Sequence, residues 1–317
     1  MQIVDFDKSC LEKAKRLVFE NYDEERKMVP VLPGDAGFPP LDVLAENGLG
    51  VAAVEDGKLL GFLSAYGPFQ PAFYTQDLRG VFSPVHAHAV QKEERIRIWH
   101  RLYQAAAEKW VKAGASSHAI ALYAHDSEAQ TAMYQYGFGM RCMDLIRDLS
   151  PVAAPEISGI AVREAHSLEV RLLRVALADH LAQSPAFMLD DEEDLQRWLD
   201  RKENSDDRVF AAYKNGKPIA YMEVCANGET FANYAPSMAN ICGAYCMPEE
   251  RGAGVAQAVL NQMIRALHDE GYQQLGVDCE SFNPTAAAFW RKYFTPYTHS
   301  VVRRIDENAF KKPQNHK

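Results

Sequence analysis

The same order of predicted elements occurs twice along this chain of 317 residues. Each half begins with a short strand and an amphipathic helix, followed later by a hairpin. The hairpin turns carry the residue pairs that a two-residue loop needs, Asp56-Gly57 in the first half and Asn215-Gly216 in the second. A strand, a long helix, a strand, a short helix and a last strand follow in both halves. The repetition predicts an internal duplication, and the strand, helix and strand succession favours a parallel strand pair.

The join between the halves is predicted at residues 150–155, Ser-Pro-Val-Ala-Ala-Pro. Two prolines among small residues are typical of a short, stiff linker. We therefore expect two domains, residues 1–150 and residues 156–310.

Charge and hydropathy exclude several classes of protein. The net charge is -9 without a Lys/Arg-rich run, which argues against a nucleic-acid partner, because such binding needs a basic surface. No apolar run is long enough to span a membrane, and the start lacks a signal peptide, so we expect a cytoplasmic protein with no membrane partner. The six cysteines lack CxxC spacing and predict reduced, mostly buried thiols. No metal is expected.

The strongest local motif is the turn Arg251-Gly252-Ala253-Gly254-Val255-Ala256, between an apolar strand and a long amphipathic helix. Free backbone N–H groups at a helix start, with glycines that permit close approach, can bind a pyrophosphate. Glycine-rich turns before helices are also common without any ligand, so the turn by itself leaves both interpretations open.

The spacing Arg-x-x-Gly-x-Ala in this setting resembles the acetyl-CoA motif of the GNAT superfamily of N-acetyltransferases, and the likeness extends over about residues 158–307. It implies an α+β (mixed α/β) fold of two tandem GNAT-like domains. Each would have a mixed, mainly antiparallel sheet, one parallel strand pair that splays, and flanking helices. The tandem architecture is similar to that of mycothiol synthases.

The resemblance implies that acetyl-CoA is the co-substrate and that the splayed strands admit its pantetheine arm. A backbone N–H near Cys246 or Met247 would face the thioester oxygen. Asn283 would contact the cofactor arm while also capping a helix that begins at Pro284. The implied cofactor-binding residues are Cys246, Met247, Arg251, Gly252, Ala253, Gly254, Val255, Ala256 and Asn283.

The catalytic groups are less well defined by the resemblance. Trp290 stands where the family often has a tyrosine that protonates the departing thiolate. Tyr293, one turn later, is a candidate substitute, and the alternatives are a water molecule or unaided departure of the thiolate. Glu223 is the first candidate for the general base, with Asp278, Glu280 and Tyr245 as further candidates. Direct attack by the amine requires no covalent intermediate, so Cys246 is not expected to be a nucleophile.

The first half lacks the cofactor turn. At the corresponding place it has residues 90–97, Val-Gln-Lys-Glu-Glu-Arg-Ile-Arg, without a glycine. Its side chains would obstruct a pyrophosphate, and two glutamates would repel it. We expect a degenerate GNAT-like domain there and one cofactor per chain.

These observations predict an acyltransferase whose second domain transfers an acetyl group from acetyl-CoA to a primary amine of a small molecule or peptide. The alternative is a non-catalytic acyl-CoA binding or sensing protein, because Trp290 replaces the phenol. A monomer or a homodimer is expected.

Overall fold

The computed structural model describes residues 1–73, 78–226 and 228–310. Its strands are β1 (Gln2–Asp5), β2 (Val51–Glu55), β3 (Lys58–Leu63), β4 (Tyr66–Phe69), β5 (Gly80–Ser83), β6 (His88–Val90), β7 (Ser117–Tyr123), β8 (Gly139–Asp148), β9 (Ile160–Ala165), β10 (Arg208–Lys214), β11 (Lys217–Cys225), β12 (Met238–Cys246), β13 (Gln274–Glu280) and β14 (Thr295–Arg304). Its α-helices are α1 (Leu11–Met28), α2 (Asp42–Glu46), α3 (Arg95–Lys112), α4 (Ser127–Gln135), α5 (Arg171–Ala182), α6 (Glu192–Glu203), α7 (Val255–Asp269) and α8 (Pro284–Tyr293).

Both predicted hairpins are present, and their turns explain why. Asp56 and Gly57 join β2 to β3 with φ angles of 48° and 77°. Asn215 and Gly216 join β10 to β11 with φ angles of 51° and 76°. Positive φ at both central residues is the geometry of a type I′ turn, whose twist matches that of antiparallel strands.

The contacts divide the chain into two compact units. The first comprises the described parts of Met1–Pro30, Phe38–Met143 and Tyr297–Lys317. Within it, β1, β2, β3 and β6 form an antiparallel sheet in that order, and β4, β5, β7 and β14 lie side by side with β5 parallel to β7. Helix α3 buries Trp99, Leu102 and Trp110 in the core of this unit.

The second unit comprises Val31–Gly37 and Asp144–Pro296. Its strands follow the order β13, β12, β11, β10, β9, with β12 parallel to β13 and the other pairs antiparallel. Helix α7 contacts β9 to β12 through its predicted apolar face: Val255, Val259, Met263, Ile264 and Leu267 are all buried. The α+β class with a mixed, mainly antiparallel sheet in each half is confirmed.

The unit boundaries differ from residues 1–150 and 156–310 at the strand ends. Strand β14 belongs to the first unit because it forms an antiparallel ladder with β7, from Thr298 opposite Tyr123 to Arg304 opposite Ser117. Residues 144–150 belong to the second unit. Among the described residues, no helix has the length and apolarity required to cross a membrane.

The linker is held against the second unit. The amide of Val152 donates to the side-chain oxygen of Asn261 on α7, and the Asn261 amide group donates back to the Val152 carbonyl, both at 2.8 Å. The linker therefore lies along α7, which the sequence did not indicate.

Candidate active site

Two parallel strands of the second unit, β12 and β13, separate partway along their length and form a fork. Strands β12 and β13 pair from Met238 opposite Gln274 to Ile241 opposite Val277, and their ladder ends there. Beyond this point β12 continues its antiparallel ladder with β11 as far as Cys246. A gap therefore opens between the end of β12 and the end of β13, as the resemblance implied.

A bulge lies at the base of the fork. Glu223 of β11 is opposite Gly243 of β12, while the next residue, Val224, is opposite Ile241, so Cys242 has no partner in the ladder. An extra residue of this kind bends the strand and redirects its side chains.

A cavity of about 300 Å³ extends from the fork to the start of α7. Many of the predicted site residues line it: Tyr245, Cys246, Arg251, Gly252, Ala256, Asn283 and Tyr293. Glu223, Met247, Ala253, Gly254 and Val255 are not among the lining residues. Leu177 and His180 of α5 also line it and were not predicted; their spacing of three residues on one helix is the only sequence signal for them.

The turn before α7 has the backbone geometry of an anion site. Gly252 and Gly254 have φ angles of 80° and 93°, and Gly254 is the N-cap without any side-chain cap. The first helical bond runs from the Ala258 amide to the Gly254 carbonyl at 3.0 Å. The amides of residues 255–257 therefore have no acceptor within the helix and can bind an anion.

Gly254 is required for a second reason. A Cβ atom at this position would lie 2.3 Å from Cγ of Pro155 in the linker. At Gly252, by contrast, a Cβ would meet nothing within 4 Å. The two glycines of the turn therefore have different structural roles.

The backbone of β12 distinguishes the amides of Cys246 and Met247. The Met247 amide donates to the Ile219 carbonyl of β11 at 3.0 Å. The Met247 amide is therefore already paired within the sheet. Because successive amides along a strand point to opposite sides, the Cys246 amide is directed into the gap.

The side chain of Arg251 folds back toward the same strand. Its Nε donates to the Cys246 carbonyl at 2.9 Å, and its guanidinium lies 5.5 Å from the centre of the Tyr245 ring. Burial raises the pKa of the Cys246 thiol to about 11, and the Arg251 charge opposes that rise only in part. A protonated thiol is a poor nucleophile.

Helix α8 forms the aromatic wall of the cavity. Asn283 is its N-cap and accepts from the Ala286 amide at 3.3 Å, with Pro284 as the first helical residue, so the capping role is confirmed. The ring of Phe289 lies 4.9 Å from that of Trp290 and 5.0 Å from that of Tyr293. Trp290 is buried and also lines the cavity.

Glu223 lies in a buried ion pair. Its Oε1 is 2.7 Å from Nη2 of Arg174 on α5, and both side chains are 0% exposed. Lys202 Nζ lies 3.9 Å from its other oxygen. The carboxylate of Glu223 is therefore already engaged by two cationic side chains, and it does not line the cavity.

Asp278 is the first residue of β13 beyond the fork. Burial raises the pKa of its carboxyl to about 6, the neighbouring Glu280 adds to the rise, and a hydrogen bond with the Asn240 side chain opposes it. A carboxyl group with a pKa near neutrality is suited to accept a proton at physiological pH. Asp278 is not among the residues that line the cavity.

Comparison with known proteins agrees with this geometry. Residues 175–294 match the model of the acetyltransferase (GNAT) family. No curated protein matches the chain. A GCN5-related N-acetyltransferase from Sphaerobacter thermophilus is similar in structure, with a TM-score of 0.58 and 15% identity, over 96% of this chain and 95% of that one.

A second solved structure is the GCN5-related glucosamine N-acetyltransferase region of a fungal multi-domain β-N-acetylglucosaminidase. It is similar with a TM-score of 0.52 and 13% identity, over 95% of this chain and 38% of that one. Similarities at this level of identity establish the fold. The chain has the fold of these acetyltransferases, and residues 175–294 match the model of the acetyltransferase (GNAT) family.

Proposed function

We propose that this chain, which carries a GNAT acetyltransferase domain over residues 175–294, transfers an acetyl group from acetyl-CoA to a primary amine of a small molecule or peptide. One observation carries the proposal: a single cavity is lined by Ala244 at the fork and by Ala256 and Gln257 in the first turn of α7. A CoA thioester needs both an apolar gap for its arm and an anion site for its phosphates. The residues present fit that ligand.

In this proposal each part of the cofactor has defined partners. The free amides of residues 255–257 bind the phosphates, Gly252 leaves the space beside them open, and Arg251 adds positive charge. The pantetheine arm lies along the Cys246 amide and near Asn283. The Cys246 amide is the donor that we assign to the thioester oxygen, where negative charge develops as the amine attacks.

The reaction that we infer is direct. The amine nitrogen forms a bond to the acyl carbon, the carbon–sulfur bond breaks, and its electron pair leaves on the thiolate. We assign Asp278 as the acceptor of the amine proton in preference to Glu223, whose carboxylate is paired with Arg174. Tyr293, on the cavity wall, is the proposed donor to the thiolate, and Tyr245 of β12 also lines the cavity.

Release of CoA thiol from acetyl-CoA in the presence of a panel of amines tests this function directly. The variant Gln257→Glu places a negative charge beside the free amides, where it stabilises a helix start but repels phosphate. We expect acetyl-CoA affinity to fall at least about tenfold without a loss of thermal stability. Gln262→Glu, on the same helix but outside the cavity lining, is the matched control with the same net charge. Equal affinities for both variants would contradict the phosphate site.

A non-catalytic acyl-CoA binding or sensing protein is the second candidate. It is favoured by Trp290, since an indole N–H does not titrate as a phenol does. Tight acetyl-CoA binding without thiol release on any amine would support the sensor. Absence of CoA binding would contradict both functions.

A further inference from the structure

Three potential metal ligands meet beside the fork. The sulfur atoms of Cys225 and Cys242 and a carboxylate oxygen of Asp207 lie within 4.8 Å of one another. They come from the end of β11, from the bulge of β12 and from the residue before β10. The two cysteines are separated by many residues and form no recognisable spacing motif, so the sequence does not reveal this cluster.

The bulge accounts for the position of Cys242. As the residue without a ladder partner, it places its thiol in a hydrogen bond with Cys225 and at 3.7 Å from Oδ2 of Asp207. A tetrahedral zinc ion with ordinary Zn–S and Zn–O lengths holds its ligand atoms roughly 3.5 to 3.8 Å apart. The observed separation of Cys242 and Asp207 meets that requirement, and the sulfur of Cys225 lies within 4.8 Å of both ligand atoms.

A lysine ammonium contacts two of the three potential ligands. Lys202 Nζ lies 3.0 Å from Oδ2 of Asp207 and 3.3 Å from Sγ of Cys242. The cluster therefore already accepts a positive charge. The Lys202 side chain is 16% exposed, so its long flexible stem has a route to solvent when another cation takes its place.

We propose that Cys225, Cys242 and Asp207 form a binding site for a soft divalent cation such as Zn²⁺, with Lys202 holding the place of the ion in the metal-free chain. Two thiolates select zinc over the hard cations Mg²⁺ and Ca²⁺. On binding, the two thiols release their protons to solvent, and the fourth tetrahedral position stays open for water. This inference is independent of the proposed acyl transfer.

Titration of the full untagged chain with Co²⁺ under reducing conditions tests the site. We expect one equivalent to bind with the intense absorption of cobalt–thiolate bonds, and Zn²⁺ to abolish that absorption by displacement. Cys225→Ser and Cys242→Ser should each remove most of the absorption and weaken Zn²⁺ binding at least about tenfold. Cys10→Ser, which removes a buried thiol of the first unit, should leave both unchanged.

Replacing Lys202 tests the site in a second way, because its ammonium group competes with a metal ion for the same ligands. Lys202→Met removes the ammonium but retains the length of the side chain, and it should raise Zn²⁺ affinity about tenfold. Absence of cobalt–thiolate absorption in both the wild type and Lys202→Met would overturn the proposal. So would full absorption in both serine variants. The intense absorption arises only from cysteine ligation. The wild-type and Lys202→Met spectra therefore test the proposal even if a serine variant does not fold.

Discussion

The long helices of the two units begin in the same way but present opposite chemistry. The N-cap of α3 is Glu94 with φ 54°, and the N-cap of α7 is Gly254 with φ 93°. At α7 the first amides face a cavity. At α3 the side chain of Arg95 is buried, with its guanidinium donating to the carbonyls of Val90 and Gln91 and pairing with Glu24 and Asp126.

An N-cap residue in the left-handed conformation is therefore not sufficient to create an anion site. In the first unit a guanidinium and two carboxylates occupy the region at the helix start, so no free positive potential remains there. This agrees with the prediction of one cofactor site per chain, which stays a prediction.

The two forks differ as well. In the first unit a turn divides the counterpart of β12 into two strands, β5 and β6. Strand β5 pairs with β7, and β6 pairs with β3. The His88 ring bonds to the Ala121 carbonyl of β7 at 2.7 Å. Ala121 is the first residue beyond the β5–β7 ladder, as Asp278 is beyond the β12–β13 ladder. The first fork therefore lacks the carboxyl group.

The largest expected effect comes from removing that carboxyl group. Asp278→Asn should lower kcat by about 100-fold or more, the usual contribution of a general base, with acetyl-CoA affinity unchanged. In the wild type, kcat/KM should rise with pH through about 6, since the base must be ionised, and this inflection should be absent from the variant.

Glu280→Gln is the matched control for the pH profile. Removing the like charge lowers the pKa of Asp278, so the inflection should move to lower pH while the plateau rate is retained. An unchanged inflection in Asp278→Asn would exclude Asp278 as the base.

The next largest effect concerns the buried guanidinium of the first unit. Arg95→Met leaves Asp126, whose pKa is already raised by burial, without its cation, and should destabilise the protein by about 3 kcal/mol. Denaturant unfolding measures this loss. The acetyl-CoA affinity of Arg95→Met, measured without denaturant, should equal that of the wild type. A loss of affinity in this variant would contradict the assignment of cofactor binding to the second unit alone.

A smaller effect separates the two glycines of the cofactor turn. Alanine at either position incurs the left-handed strain of about 1 to 2 kcal/mol, and Gly254→Ala also overpacks against Pro155 by about 1 to 3 kcal/mol more. Melting temperatures should therefore fall further for Gly254→Ala than for Gly252→Ala. Equal decreases in melting temperature would mean that Pro155 of the linker does not restrict the side chain at position 254.

The smallest effect comes from giving α3 the N-cap of α7. Glu94→Gly relieves left-handed strain and should stabilise the protein by about 0.5 kcal/mol. Because Arg95 still fills the helix start, the stoichiometry of acetyl-CoA binding, measured by calorimetry, should not change. A second bound equivalent would refute the view that the guanidinium closes this position.

Local sequence determined the features that depend on backbone torsion and helical period. The Asp-Gly and Asn-Gly pairs set the hairpins, the spaced apolar residues set α7, and Asn283-Pro284 set the start of α8. Each of these rests on residues within a few positions of one another, whose local backbone preferences favour the observed geometry.

Only the tertiary structure decided the pairing of β14 with β7, the burial of Glu223 against Arg174, and the meeting of Cys225, Cys242 and Asp207. It also decided that Met247 donates its amide to β11. Strand register, bulges and desolvation depend on residues that are far apart in the chain. The pKa of Asp278, about 6, depends on the groups that surround its carboxyl group, and no local pattern of residues encodes those surroundings.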